Sequence, residues 1–523
     1  MTKYLLKRIL HGVFSVVVIV AIVMIMIYSL MDKKLIFAHD SGWTKQLNNN
    51  KTVYEFRKWK DFGYLDYVAY GDWISGLIKS GELAAEDRTK VASLGRTPDK
   101  DSETVREYVQ KFTEFYESQG YTVKRLDAVM QGGTKIAVGG NQALFAYRDI
   151  PLYIRVWNYF TNIIKVDNIH RAEEVQGERG ISFTWFDPAY GGTVFSPAVI
   201  GNGTYHKYLL YCDSQFPFIH QNLVSISLGK SYSVKQNIEI TDTMTRSQGT
   251  WVGREVYYPT GFVDVSGDDL HTATYQAGSL NTSALLAERY TDDYTNVDTL
   301  KSGMSRMGYS FTIGIISVIL TYLIGVPIAI WMAQKKDKLV DQIGSVYVVF
   351  ITAMPSLAYI FIVKAIGNAT GIPTTFDMNN PTWLMYVLPI ISLSLRPIAG
   401  LMRWLRRYMV DQQNADYVKF ARSTGISEGQ IFRKHILKNA AIPIIHGIPG
   451  AILFSLVGAL ITERVYVVPG VGGLMIEAIN FYDNGVIVGV TLFYAVLSIV
   501  SLIIGDILMS VVDPRINFTS KAR

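Results

Sequence analysis

The stretch Asp416 to Pro443, DYVKFARSTGISEGQIFRKHILKNAAIP, reads as two short helices joined by a tight turn. Asn414 stands where a cap would open the first helix, Tyr417, Val418, Phe420, Ala421 and Thr424 recur at helical spacing, and Gly425 suits the left-handed residue that ends it. Ser427, with Gln430 three residues on, has the form of a capping box. Ile431, Phe432, His435 and Ile436 then make one face of a second helix amid Arg433, Lys434 and Lys438. The elbow is basic outside, and Tyr417, Phe420 and Phe432 are expected to have no core of their own, so its aromatic rings call for a cover from another protein. A DNA-reading helix-turn-helix would need a free second helix, but this one runs within a few residues into an apolar segment at Asn439.

Apolar segments dominate the chain around the elbow. Residues 9–31 hold 23 positions without Asp, Glu, Lys or Arg, and the same charges are missing from 307–334, 342–363, 378–395, 439–462 and 484–505. About 20 apolar residues cover the hydrocarbon core of a bilayer, so these read as six spans. The first is read as a retained span and not as a cleaved signal peptide, because no small-x-small site follows Leu30. Of the 523 residues 49% are hydrophobic and 18% charged, and mean hydropathy is +0.19, which fits a membrane protein with a sizeable polar part. Residues 32–306 carry 30 Lys and Arg against 33 Asp and Glu, whereas the rest of the chain carries 20 against 11. The positive excess therefore belongs to the membrane portion, where short-loop bias places both termini and the elbow in the cytoplasm; it does not describe a nucleic-acid-binding domain.

Residues 32–306 then face outside and are long enough for a core of their own. Ser102 to Ser118 is expected to be a capped amphipathic helix. Tyr121 to Leu126, Gly180 to Trp185 and Val252 to Tyr257 alternate as strands, and Gly132-Gly133, Gly139-Gly140 and Gly191-Gly192 mark turns, so the segment reads as α+β. Lys230-Ser231 lacks the earlier glycine of a phosphate loop, position 224 being Val224. With one cysteine, Cys212, and eight dispersed histidines, neither a disulfide framework nor a metal-ligand cluster can be assembled, and no catalytic set is legible.

The elbow, together with Glu463, Val465, Tyr466, the PGVGGL of Pro469 to Leu474 and Asp513-Pro514-Arg515, resembles the binding-protein-dependent ABC importer permeases, in the dipeptide and oligopeptide subgroup. Where the wider family writes Glu-Ala-Ala, this chain has Lys419-Phe420-Ala421. Leu228 to Ser231 resembles the family segment that precedes the second span, and most of the region before it looks like an insertion similar to that of streptococcal members. The resemblance implies an α-helical polytopic membrane protein of six transmembrane helices with the ABC importer permease fold. Its parts would be a cytoplasmic N-terminus and helix 1 (1–31), a large α+β extracellular domain inserted between helices 1 and 2 (32–306), and a permease core (307–523) with a coupling loop at about 411–438. It implies a permease subunit in the cell membrane of a Gram-positive bacterium, forming half of an oligopeptide pathway. The implied partners are a second homologous permease, two cytoplasmic ATPase subunits, an extracellular lipid-anchored peptide-binding protein and membrane lipid; ATP is bound by the partners, the chain needing no cofactor or metal.

Asp416, Tyr417, Phe420, Ala421, Arg422, Gly425, Ser427, Phe432 and His435 are then the candidate ATPase-coupling residues. Glu463, Pro469, Gly470 and Gly472, expected in a re-entrant loop ending the fifth span, are candidates for the gate, because irregular backbone at membrane depth needs cover from protein or water. Arg396 and Asp506 are charges set in apolar runs. Both are expected near cytoplasmic span ends, Asp506 with a basic partner and Arg396 either snorkelling or lining the pathway. Pro327, Pro355, Pro389, Pro397, Pro443 and Pro449 each free a carbonyl and allow a bend, and Ser356, Ser392 and Ser394 are polar candidates along the pathway. A membrane-anchored structural or signalling protein is the alternative, and the elbow argues against it, since an anchor has no use for one.

Overall fold

The computed structural model describes residues 2–512 except 173–174, 176, 188–191, 194, 213–218, 276–283, 292–294 and 379, so Asp513-Pro514-Arg515 lies outside the described residues. Four unbroken helices are long and apolar enough to cross a bilayer: α1 (Thr2–Leu30), α3 (Arg306–Gln334), α6 (Leu384–Gln413) and α11 (Asn484–Val512). Three further pairs pass only when joined across a bend. They are α4 (Leu339–Ala353) with α5 (Ser356–Thr370), at 110°; α8 (Glu428–His446) with the first part of α9 (Ile448–Tyr466), at 43°; and the last turns of α9 with α10 (Val471–Asn480), at 82°. Between α6 and α8 lies the short α7 (Asp416–Ser423).

Three of the expected spans are therefore corrected in outline. The segment 342–363 is broken at Met354-Pro355, where the residue before proline is extended (ψ 134°) and the proline starts a new helix. The segment 439–462 bends at Gly447, because Pro449 has no N–H to return to Ile445. Helix α6 begins six residues later than the charge-free run at 378 and continues to Gln413, so Arg396, just past the apolar run, stands in the middle of the helix. Pro327, Pro389, Pro397 and Pro443 stay inside continuous helices.

Helices α3 and α6 run side by side in the same direction: Tyr309 faces Tyr386, Gly325 leaves room for Leu401, and Gln413 donates to the Ala333 carbonyl. Asp341 at the start of α4 accepts two bonds from Arg406 of α6, each 2.5 Å. Helix α1 packs antiparallel on α11 through Gly12, whose missing Cβ leaves space for Ile499. Asp506 finds its basic partner there, accepting from Arg8 Nε at 2.8 Å and Tyr4 Oη at 3.1 Å.

The chain between α1 and α3 folds as mixed α and β structure. Strands β1 (Leu65–Ala69), β2 (Thr122–Leu126) and β3 (Ala143–Asp149) form an antiparallel sheet in the order β1-β3-β2. Helix Glu103–Ser118 packs beside it, opened by Ser102 Oγ accepting from Val105 N at 3.2 Å, and Phe56, Trp59, Tyr67 and Phe145 fill a core under the sheet. After α2 (Leu152–Thr161) comes β4 (Ile164–Val166), then a four-stranded sheet of Gly180–Thr184, Ala198–Asn202, Tyr208–Cys212 and Ile219–Gln221, and β5 (Val224–Ile226), which pairs with β4. The strands expected at 121–126, 180–185 and 252–257 are found as Thr122–Leu126, Gly180–Thr184 and Arg254–Tyr257.

This part is fastened to the helices at Asp483. The carboxylate is fully buried and begins α11, accepting from Val486 N at 3.1 Å. It also accepts from Ser231 Oγ at 2.6 Å and from the backbone N–H groups of Tyr232, Ser233 and Val234, each at 2.9 Å. Gly485 and Gly489, one helical turn apart, let the carbonyls of Lys230 and Leu228 lie directly on α11; a Cβ on Gly489 would stand 2.6 Å from Leu228 O. The Leu228 to Ser231 segment is thus the docking contact. Asp483→Ala should leave several of these donors unpaired at about 1–3 kcal/mol each. The expected result is a clearly lower thermal midpoint in detergent and earlier proteolysis of the 32–305 region, while Lys230→Ala, whose backbone carries the contact, leaves both unchanged.

Candidate functional site

The elbow is built from the ends of α6 and α8. Because α6 runs on to Gln413, Asn414 closes that helix (φ −91°, ψ −4°) and does not cap the next; α7 starts after Ala415 without a side-chain cap. Gly425 ends α7 with φ +79°, its N–H on Arg422 O at 3.1 Å and that of Ile426 on Ala421 O at 3.3 Å, the left-handed closure the glycine predicts. Ser427 occupies the cap position of α8, yet its hydroxyl receives no bond from the helix; the N–H groups of Gln430 and Ile431 reach its carbonyl instead. The expected capping box is replaced by an ion pair across the turn, Arg422 Nε to Glu428 Oε1 at 2.7 Å.

The expectation that the elbow lacks a core is corrected as well. Val418 and Ala421 of α7 with Ile431, Phe432 and Ile436 of α8 are buried against Ala329 and Ala333 of α3 and Leu405 and Met409 of α6. Phe432 is only 9% exposed, because α3 and α6 extend beyond their apolar runs and offer their ends as a wall. Val418, Ile431, Phe432 and Ile436 each contribute roughly 1.5–3 kcal/mol by burial, so the elbow is bolted to these helices. Residues Phe432 to Leu437 form a π-helical segment inside α8, a wider turn that keeps the helix continuous into the membrane-grade part. Tyr417 is tied in: its hydroxyl donates to Gln412 Oε1 at 2.5 Å and accepts from Asn439 Nδ2 at 3.1 Å, with the half-buried His435 ring 6.4 Å away. Asp416 is exposed, and the Lys419 ammonium at 2.9 Å holds its carboxyl below the usual range. What remains uncovered is Phe420, 70% exposed, with Ile426 and the open surface of Gly425 beside it.

At the opposite end of the bundle Glu463 staples the turn between α9 and α10. It is 1% exposed and accepts from Ser310 Oγ of α3 at 2.6 Å and from Gly473 N at 2.9 Å, while Ser310 Oγ accepts in turn from Val471 N at 2.9 Å. A Cβ on Gly470 would collide with this carboxylate, and one on Gly472 would stand 2.8 Å from both its Oε2 and Leu460 Cα. Half-buried Pro469 lies between Val468 and Gly470 in the same turn. Glu463, Pro469, Gly470 and Gly472 are thus brought together; Arg396, exposed in the middle of α6, is not part of the group and hydrogen-bonds to nothing among the described residues. Ser392 is fully buried and shares a 2.9 Å bond with Tyr466 Oη, and buried Ser394 donates to the Ile391 carbonyl at 2.9 Å. Ser310, Asp341 and Asp483 were not legible as structural anchors; only the sequence oddity of an acid or hydroxyl beside an apolar run pointed at them. Glu463→Ala and Ser310→Ala should each lower the detergent thermal midpoint. The double variant should lose clearly less than the sum, since the two groups share one bond; strictly additive losses would contradict the staple.

Residues 325–518, which contain both the elbow and the stapled turn, match the family of binding-protein-dependent transport system inner membrane components. Over its full length the chain is 32% identical to the oligopeptide transport system permease protein AmiC of Streptococcus pneumoniae serotype 4, the alignment covering 100% of this chain and 99% of that one. It is 29% identical to the dipeptide transport system permease protein DppB of Lactococcus lactis subsp. cremoris over 43% of this chain and 73% of that protein, and 29% identical to DppB of Bacillus subtilis over 40% and 68%. With the full-length match, the elbow and the membrane-grade helices in agreement, the chain belongs to the binding-protein-dependent transport system inner membrane components and is a membrane permease, not an enzyme.

Proposed function

We propose that this permease forms one half of a pathway that imports oligopeptides. A second, homologous permease would form the other half, and two ATPase subunits would drive it from the cytoplasm. The full-length likeness to a protein named as an oligopeptide transport permease supports the substrate class. The carrying observation is the elbow. One face is packed onto α3 and α6 and the other presents Phe420, Gly425 and Ile426 to solvent, so a partner gripping the exposed face would move both long helices as a body.

The same reading sets the topology. Lys7 and Arg8 before the apolar part of α1 and the cations of the elbow favour the cytoplasm for both. The 32–305 region is then extracellular, where a lipid-anchored peptide-binding protein would deliver its cargo. Six crossings result if α4 with α5 count as one broken crossing, α8 with α9 as another, and α10 as a re-entrant return. The parallel course of α3 and α6 supports that count, because an odd number of crossings must carry the chain back between them. The turn stapled by Glu463 then lies at the extracellular mouth, between the binding protein and the pathway.

Gly425→Val forces a β-branched residue to φ +79°, a cost on the order of 1–3 kcal/mol at a turn with no neighbour to relieve it. Peptide uptake by cells carrying the whole transporter should fall to near background while membrane insertion persists; unimpaired uptake would refute the coupling role. In a Cys212→Ser background, Phe420→Cys should cross-link to an ATPase subunit and Lys111→Cys, in the extracellular region, should not.

A further inference from the structure

Helix α2 has two unlike faces. On one, Val156, Tyr159 and Phe160 pack against the core that α1 contributes through Val20 and Met24, and the Arg155 guanidinium lies 3.9 Å from the rings of both Tyr28 and Tyr64. The other presents Tyr153 at 74% and Trp157 at 70% exposure. The chain leaves α2 directly into β4, whose pairing with β5 sets Val166 opposite Val224 and Ile164 opposite Ile226. All four side chains are exposed on one side of this two-stranded ribbon, while Lys165 and Ser225 alternate to the other, where Lys165 pairs with Glu239 at 3.2 Å. Helix and ribbon, two residues apart in the chain, thus each carry exposed apolar side chains, Tyr153 and Trp157 on the one and Ile164, Val166, Val224 and Ile226 on the other, with Arg171 bonded to the Val166 carbonyl at the far end of β4.

Its height is set by α1. Helix α2 packs at the level of Met24 to Tyr28, and Met24 lies only about 9 Å below the last residue of α1 at 1.5 Å per residue. This is the depth at which a spanning helix leaves the hydrocarbon, where Trp and Tyr rings are favoured. Helix α1 lies at the rim of the bundle, in contact with α11 and α2, and exposes Ile22, Ile25 and Met26. Helix α2 therefore packs beside the outer end of α1, through Arg155 on Tyr28 and the Met24 core.

We propose that α2 and the β4-β5 ribbon are a lipid-binding foot: their apolar side lies in the headgroup and acyl boundary of the leaflet on the side of the 32–305 region. These six side chains are uncharged and Arg171 at the end of β4 can reach the headgroups, while Arg155, between Tyr28 and Tyr64 on the opposite face of α2, keeps the foot at a fixed height on α1. The foot would hold the whole region upright over the pathway and limit how far it can tilt.

The test uses the assembled transporter in nanodiscs of phosphatidylethanolamine and phosphatidylglycerol. Spin labels on Trp157→Cys and Val166→Cys, each in a Cys212→Ser background, should collide with oxygen in preference to a water-soluble nickel chelate, with a ratio several-fold above that of Lys111→Cys. A label that prefers nickel puts the surface in water, and one that meets neither reagent puts a protein partner there; either result overturns the proposal. Should the cysteine variants fail to assemble, a diazirine phospholipid in the wild-type complex must label residues 153–166 or 224–226; absence of label there, with α1 labelled, refutes it equally.

Discussion

A backbone amide or carbonyl that leaves a helix within apolar surroundings must be paired by protein, because no water is there to take it, and the architecture of this permease depends on that constraint. The chain changes direction twice between α9 and α11, and a buried carboxylate stands at each change. Glu463 draws the turn into α10 onto Ser310 of α3, and Asp483 collects the amides of residues 232–234 while opening α11. Each carboxylate has donors enough to remain buried, and each turn has glycines where the approach is too close for a side chain. Without them α10 would have no fixed place and the 32–305 region no seat.

The other end of the bundle is held differently. The elbow is fixed by apolar burial, with Ile431, Phe432 and Ile436 against the ends of α3 and α6, and Arg406 with Asp341 ties α6 to α4 nearby. Apolar packing is close-fitting yet without direction, so it transmits a push as a rigid wedge does, while the two directional carboxylate staples resist separation at the far end. Force applied at Phe420 would therefore reach the stapled mouth along α3, which carries both the wall of the elbow and Ser310. That continuity of one helix between two sites gives the proposed coupling a material path.

Much of this was visible in the residues themselves. The charge-free runs marked six apolar segments, Ser102 opened its helix, Gly425 took the left-handed conformation, and Asp506 found a basic partner in Arg8. Periodicity and turn chemistry are local, and where the structure agrees with them the decisive neighbours lie within a few residues. Errors came where the partner is distant. Phe432 looked uncovered because a run ending at Leu395 conceals that α6 continues as a helix to Gln413. Ser427 and Gln430 have the spacing of a capping box, but the Ser427 hydroxyl receives no bond and the N–H groups of Gln430 and Ile431 reach its carbonyl instead.

By itself, then, the sequence determined the class of molecule, the segments apolar enough for a membrane, the presence of the elbow and its likeness to a transporter family. Each of these follows from composition or from patterns that repeat within a few turns. Only the tertiary structure decided which face of the elbow is free, that Glu463 and Asp483 are staples, that Gly485 and Gly489 form a seat for the Leu228 to Ser231 segment, and that α2 packs against the outer part of α1. These features join residues up to some 250 positions apart, as Ser231 and Asp483 are, and nothing in a local pattern specifies which distant backbone will approach a glycine or which donors a buried carboxylate will collect.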